Sequence, residues 1–171
     1  FTRPDFVAFP AFLVRSGNPE RLRSFRDVAR SGTRLAVLDG AVEIDYAKAA
    51  GVEDDQLEVV GNQPDLFRAV ASQRVPAGVL TRISLIDEVR RNPGSRVEVT
   101  DPVEPAIDGH PVVPGAGFAV RLGEDDLLAE FNRELTALQE SGEWLRITEP
   151  FGFSRDNLPP ADLTTESLCR A

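Results

Sequence analysis

The 171-residue chain is predicted to be an α/β protein built on a parallel, right-handed β-α-β sheet. Three observations predict it. Short apolar runs bounded by glycine, proline and asparagine alternate with segments of helical periodicity from Ala11 to Val99. Hydrophobic residues make up 42% and charged residues 27% of the chain, a balance too apolar for a disordered one. Beyond residue 100 the alternation stops, and a connector rich in proline and glycine leads to amphipathic helices.

Ala11 to Arg15 is the first expected strand, closed by the turn residues Ser16-Gly17-Asn18-Pro19. Ser24, with Asp27 three residues on, resembles a capping box and opens a helix that ends near Gly32. Arg34 to Leu38 reads as a buried strand, and Asp39-Gly40 turns the chain. Val42, Tyr46 and Ala50 recur at helical spacing until Gly51 stops them. Leu57 to Val60 is the next strand. Asn62 caps a helix with Pro64 in its first turn and Leu66, Phe67 and Val70 on one side. Val75 to Leu80 is a strand, Ser84 to Arg91 a helix halted by Asn92-Pro93-Gly94, and Val97 to Val99 a strand. Asp101 to Gly117 is expected to be a connector and Phe118 to Arg121 a strand. Leu128, Phe131, Leu135 and Leu138 mark an amphipathic helix, Trp144 and Ile147 a shorter one, and the tail from Glu149 is expected to be irregular.

The net charge of −9 argues against a nucleic-acid partner, which would require a basic face, and against a polybasic membrane patch. No run approaches the roughly 20 apolar residues that span a bilayer, so the membrane is expected to matter only through an anchor outside this chain. Phe1-Thr2-Arg3-Pro4 has neither the n-region nor the h-region of a signal peptide. The single cysteine, Cys169, cannot form an intrachain disulfide. The single histidine, His110, lies in the connector with no second metal-ligating residue at a recognisable spacing. There is no nucleophile elbow, phosphate loop or dinucleotide fingerprint. No catalytic residue, metal or cofactor is expected.

The informative segment is Leu38-Asp39-Gly40-Ala41-Val42-Glu43, where a strand ends, a glycine turns and a helix begins. Open α/β sheets bind ligands beyond the carboxyl ends of their strands. The first N–H groups of a helix lack intrahelical partners and can seat a carboxylate, or can simply bind water. Glu43 either complements the helix dipole or accepts hydrogen bonds from a cationic ligand group. At the next strand end, Thr81 either contacts a ligand or caps the following helix. Arg82 either pairs with a carboxylate or is solvated. Asn62 and Gln63 hold an equivalent turn, where Asn62 is a helix cap or a further contact.

Several segments together resemble one family. Phe1-Thr2-Arg3-Pro4-Asp5-Phe6 is similar to the F-[ST]-x-P-[YF]-[YF] segment that precedes the first interlobe crossing in type II periplasmic solute-binding proteins of the polar amino-acid group, with Asp5 departing from it. Phe12 to Asn18 resembles their hinge strand. Gly40-Ala41-Val42-Glu43 stands where the family usually has Gly-Thr-Thr or Gly-Gly-Thr. Pro114 to Arg121 resembles the second crossing, and Phe131-Asn132 through Gly142-Glu143-Trp144 the late helix. Ala77 to Leu85, and Glu149-Pro150-Phe151-Gly152-Phe153 with Thr164 to Cys169, look most like the ectoine/hydroxyectoine-binding subfamily.

The resemblance implies a periplasmic-binding-protein-like II fold. Residues 1–12 would end lobe one, 13–116 would form lobe two, and 117–171 would cross back to lobe one, whose first part would lie upstream. It implies the binding subunit of an ABC importer, periplasmic or extracellular and in its full-length form a lipoprotein, which would hold a small zwitterionic compatible solute (ectoine or hydroxyectoine) or a polar amino acid in an interlobe cleft and meet permease subunits. The ligand contacts implied are Gly40, Ala41, Val42, Glu43, Thr81 and Asn62. The amides of residues 41–43 would take the carboxylate and Glu43 the positive ring. Thr81 stands where the family often has an acid that holds an α-amino group, which suits a ring amidinium instead. Three alternatives remain open: a dehydratase-like enzyme on the same fold, a ligand-sensing module, and an incomplete protein that binds nothing tightly.

Overall fold

The computed structural model describes residues 1–169. The expected third segment, 117–171, therefore ends two residues outside the described ones. The chain forms two compact units, residues 1–8 with 113–171 and residues 9–112. Both edges of the central unit fall four residues earlier than the 13–116 expected from sequence. The reason is pairing: Pro10, Ala11 and Phe12 already lie opposite Thr81, Leu80 and Val79.

The chain opens with β1 (Phe6–Val7), which belongs to the first unit. The central unit runs β2 (Pro10–Arg15), α1 (Phe25–Ser31), β3 (Leu35–Leu38), α2 (Glu43–Ala49), β4 (Leu57–Val60), α3 (Gln63–Ala71), β5 (Ala77–Thr81), α4 (Arg82–Arg91) and β6 (Val97–Val99). A small hairpin, β7 (Ala106–Ile107) and β8 (His110–Pro111), follows within the expected connector. The five-stranded sheet has the order β4-β3-β5-β2-β6. β3 pairs in parallel with both β4 and β5.

The expected all-parallel sheet is corrected at one strand: β2 runs antiparallel to both β5 and β6, so it is inserted between two strands that are parallel to each other. Apolar periodicity carries no information about strand direction, so the pattern from Ala11 to Val99 is the same for either orientation.

The side-chain alternation of β2 builds two cores. Phe12 and Val14 face one side, with Phe25 and Val28 of α1 and Tyr46 and Ala47 of α2. Ala11 and Leu13 face the other, with Leu66, Phe67 and Val70 of α3 and Leu85 of α4. A period of two makes both faces apolar in a strand buried on both sides. Phe12 meets Phe25 edge-on at 5.4 Å, and Phe25 meets Tyr46 at 6.1 Å. α1 and α3 start at the caps the sequence marks, whereas α4 begins at Arg82, two residues before the expected Ser84. Ser24 accepts from the Asp27 N–H, and Gly32 ends α1 at φ 67°. Gln56 is buried between elements and donates to the Val28 and Thr33 carbonyls at 3.1 and 3.2 Å.

In the first unit β1 pairs antiparallel with β9 (Gly115–Ala116). Next come α5 (Asp125–Glu140), α6 (Glu143–Thr148) and α7 (Thr165–Leu168). The strand expected at Phe118–Arg121 does not form. The Thr2 N–H donates to the Phe118 carbonyl at 2.8 Å and the Phe118 N–H to the Thr2 hydroxyl at 3.0 Å, and the ladder stops there. The tail expected to be irregular is ordered into two 3₁₀ turns and α7. Its caps are Ser154 with Asn157 and Thr164 with Ser167. Asp5, which departs from the family segment, accepts the Trp144 indole N–H at 2.9 Å. Trp144 in turn packs edge-on against Phe153.

Two substitutions test this packing. A Cβ on Gly78 of β5 would lie 2.7 Å from Leu66 Cδ2 and 3.3 Å from Val70 Cγ2. Gly78→Ala is expected to destabilise the central unit by about 1–3 kcal/mol, outweighing the roughly 0.4–1 kcal/mol gained by restricting the unfolded chain; urea denaturation followed by circular dichroism measures it. Asp5→Ala leaves the buried indole donor without its acceptor, at a cost of about 1–3 kcal/mol. Fluorescence of Trp144, the single tryptophan, reports that loss directly.

Candidate functional site

β3 and β5 are neighbours that point the same way, so their carboxyl ends open onto one sheet edge. The chain leaves β3 through a turn in which the Ala41 N–H donates to the Leu38 carbonyl at 3.1 Å. Gly40 occupies the third position of that turn at φ 70°, the left-handed region a type II turn requires there. A side chain with a Cβ would strain this position, which explains the glycine. The Asp39 N–H donates to Val60 at 2.9 Å and ties the end of β3 to that of β4.

α2 then begins at Glu43. Val42 is its N-cap residue in helical conformation, provides no side-chain cap and is 47% exposed. Glu43 is its opposite, only 5% exposed. Glu43, Tyr46 and Ala47 are all buried and share one face of α2 at the i, i+3, i+4 spacing. That spacing is a sequence signal for the burial of Glu43. Burial pushes the Glu43 carboxyl above its ordinary value, while the backbone N–H groups of Glu43 itself and of Thr81 pull it back by favouring the charged form. The neighbouring Tyr46 phenol is pushed up by its own burial, and then by the charges of Glu43 and Asp45.

The Thr81 N–H is available because of strand geometry. The Arg82 N–H donates to the Phe9 carbonyl at 3.1 Å, on the β2 side. Alternation along a strand turns the preceding N–H, that of Thr81, toward β3. The pairing of β3 with β5 ends at Ala36 and Gly78, short of this level. Thr81 is the N-cap residue of α4 yet makes no side-chain cap bond, so its hydroxyl has no partner among the described residues. No basic side chain pairs with Glu43 among the described residues.

The expected site residues thus fall into two groups. Gly40, Ala41, Val42, Glu43 and Thr81 gather at the ends of β3 and β5. Asn62 stands at the end of β4 and spends both polar atoms in the cap of α3: its oxygen accepts from the Asp65 N–H at 2.9 Å and its amide donates to the Asp65 carboxylate at 2.8 Å. The amide seat expected at residues 41–43 is partly taken by the protein's own oxygens. Ala41 donates to Leu38, the Glu43 N–H faces its own carboxylate, and Val42 remains. Sequence reasoning missed this because a turn bond and a self-capping carboxylate depend on backbone geometry. His110 is exposed, and no group of three or more His, Cys, Asp or Glu residues able to hold a metal exists among the described residues.

No protein-family model matches the sequence. The chain is 26% identical over 171 residues to a probable amino-acid ABC transporter periplasmic-binding protein, y4tE, of Sinorhizobium fredii, with 99% of this chain and 56% of that protein covered. It is 27% identical over 143 residues to a probable amino-acid ABC transporter-binding protein of Haemophilus influenzae, with 82% and 51% covered. The chain therefore spans about half the length of the curated relatives it matches. Among solved structures, the crystal structure of EhuB in complex with hydroxyectoine matches with a TM-score of 0.78 and 31% identity, covering 99% of this chain and 63% of that one. The fold is periplasmic-binding-protein-like II, and the curated relatives it matches are named as probable amino-acid ABC transporter binding proteins.

The burial of Glu43 carries a linkage. Its folded value is raised above the ordinary 4.5, so the native state binds more protons than the unfolded chain between the two values. The cost of the buried charge is fully present above the folded value and absent below the unfolded one. Glu43→Gln is expected to stabilise the chain relative to the wild type at pH 7, with the difference shrinking as pH falls toward 4.5. Urea midpoints of both proteins across that range measure it, and a constant difference would contradict it.

Proposed function

We propose that the chain is part of the solute-binding subunit of an ABC importer, periplasmic or extracellular, and that it takes a small zwitterion whose cationic group rests against Glu43. One observation carries this reading. A buried carboxylate without a basic partner among the described residues stands beside the unengaged Thr81 hydroxyl, at the carboxyl ends of two parallel strands. Burying a carboxylate is costly unless it is paired, and a cationic ligand group supplies the missing charge. The relatives named as amino-acid transporter binding proteins support the solute-binding class. The match to a hydroxyectoine complex supports ectoine or hydroxyectoine as the zwitterion. Either compound presents a ring amidinium and a carboxylate.

Glu43 takes the amidinium, and the N–H groups of Gly40 and Val42 with the Thr81 hydroxyl serve the remaining polar atoms of the ligand. Asn62 stays a helix cap. The rest of the cleft comes from the part of the relatives that this chain does not span. Contacts there, together with those to Glu43, favour a closed form by differential affinity, and permease subunits read that form.

Two measurements test the reading. In calorimetric titration with ectoine, Glu43→Gln is expected to weaken binding about tenfold or more, the size of a charge-assisted hydrogen bond. A cation favours the ionised carboxyl, so binding to the wild type releases a proton where Glu43 is protonated. The affinity of the wild type is expected to fall as pH drops through the raised value, and that of Glu43→Gln to stay level. An unchanged affinity in the variant excludes Glu43 as the cation's partner.

A further inference from the structure

We infer that Tyr46 is a positioning residue of the solute site: when a solute covers the edge, the Tyr46 hydroxyl donates to the Glu43 carboxylate and holds it in the ionised form that meets the cation. The inference rests on the solute-binding reading above and gives a role to a buried phenol that the reading leaves unused.

Tyr46 is the single tyrosine of the chain and only 4% exposed. A phenol so buried ordinarily has a hydrogen-bond partner. The Tyr46 hydroxyl has none among the described residues, and it is not sealed from solvent. Glu43 lies one helical turn earlier on the same buried face of α2. Side chains three residues apart on a helix stand about 5–6 Å from each other at Cβ. A long helical side chain also leans back over the preceding turn, toward the helix N-terminus. The phenol therefore leans toward the level of Glu43. Burial, then the charges of Glu43 and Asp45, hold the phenol above its ordinary value, so it stays protonated and keeps its proton to donate.

Both groups stand on one side of the sheet. Val79 of β5 lies in the core that contains Tyr46 and Ala47, and alternation returns Thr81, two residues on, to that side. The Thr81 N–H already meets the Glu43 carboxylate. The ring of Tyr46 is fixed, with Phe25 edge-on at 6.1 Å and Phe12 against Phe25 at 5.4 Å. The torsions left free are those of the Tyr46 hydroxyl and the Glu43 carboxyl.

An ionised carboxylate offers about four lone-pair sites. The N–H groups of Glu43 and Thr81 take two, and a ligand cation leaves at least part of the remainder. Solvent serves the open sites in the free protein. A solute that covers the edge excludes that solvent, and a polar group left buried without a partner is costly. A neutral donor and a charged acceptor on adjacent turns of one helix face then lose water together, and each is the other's nearest remedy.

Calorimetric titration of ectoine into the full chain tests this in the wild type, Tyr46→Phe, Glu43→Gln and the double variant, at a pH above the Glu43 value. Phenylalanine keeps the ring that packs on Phe25 and removes only the hydroxyl. Tyr46→Phe is expected to weaken ectoine about tenfold when Glu43 is present, the size of a hydrogen bond to a charged group. With Glu43→Gln the same change is expected to cost about threefold or less, because the two sites are coupled through the lost charge. The Glu43 carboxyl, followed by 13C NMR, is expected to move down on ectoine binding further in the wild type than in Tyr46→Phe. The amide spectrum of each variant establishes that the fold is kept. Equal losses with and without Glu43, no loss in either, or a Glu43 titration that moves alike in both proteins overturns the role of Tyr46 and leaves the solute-binding reading in place. Failure of the wild type to bind ectoine overturns both.

Discussion

The carboxylate of Glu43 occupies the place where two parallel strands end and leave main-chain N–H groups without sheet partners, and the central unit is organised around that place. β3 ends at Leu38, the turn through Gly40 brings α2 back over the sheet, and Glu43 enters the interior on the same face as Tyr46 and Ala47. Moving α2 by one residue would turn Glu43 outward and bring the apolar Val42 toward that face. The residue that gives the edge its charge is thus also fixed by the packing that folds the unit. A group in this position is held by the scaffold and needs little reorganisation to meet a ligand.

The inserted antiparallel strand ties the parallel part of the sheet together. β2 lies between β5 and β6 and is buried on both faces, with Phe12 and Val14 in one core and Ala11 and Leu13 in the other. It also sets the direction of the Arg82 N–H through Phe9 and positions Thr100 through Phe12.

Much of this is legible in the sequence. Strand and helix positions follow from period-two and period-3.6 patterns, and the caps at Ser24 and Asn62 from the chemistry of those residues. The i, i+3, i+4 relation of Glu43 to Tyr46 and Ala47 marks its burial. What stays hidden depends on direction or on single hydrogen bonds. Hydrophobicity is the same for a strand read either way, so the reversal of β2 is invisible. Phe118 to Arg121 is apolar enough for a strand but has only Thr2 to pair with, so no ladder forms. Asp5 breaks a family pattern for a reason found 139 residues away, at the Trp144 indole. The occupied amides at Ala41 and Glu43 could not be read from residue types at all.

Glu43 is a buried carboxylate that backbone N–H groups meet but no basic side chain among the described residues does, and a ligand cation is proposed to complete it. The most direct measurement is the titration of the Glu43 side-chain carboxyl by 13C NMR, with and without ectoine. The account predicts a value above the ordinary carboxylate range in the free protein, moving down when ectoine is present. An ordinary value that ectoine leaves unmoved would contradict it.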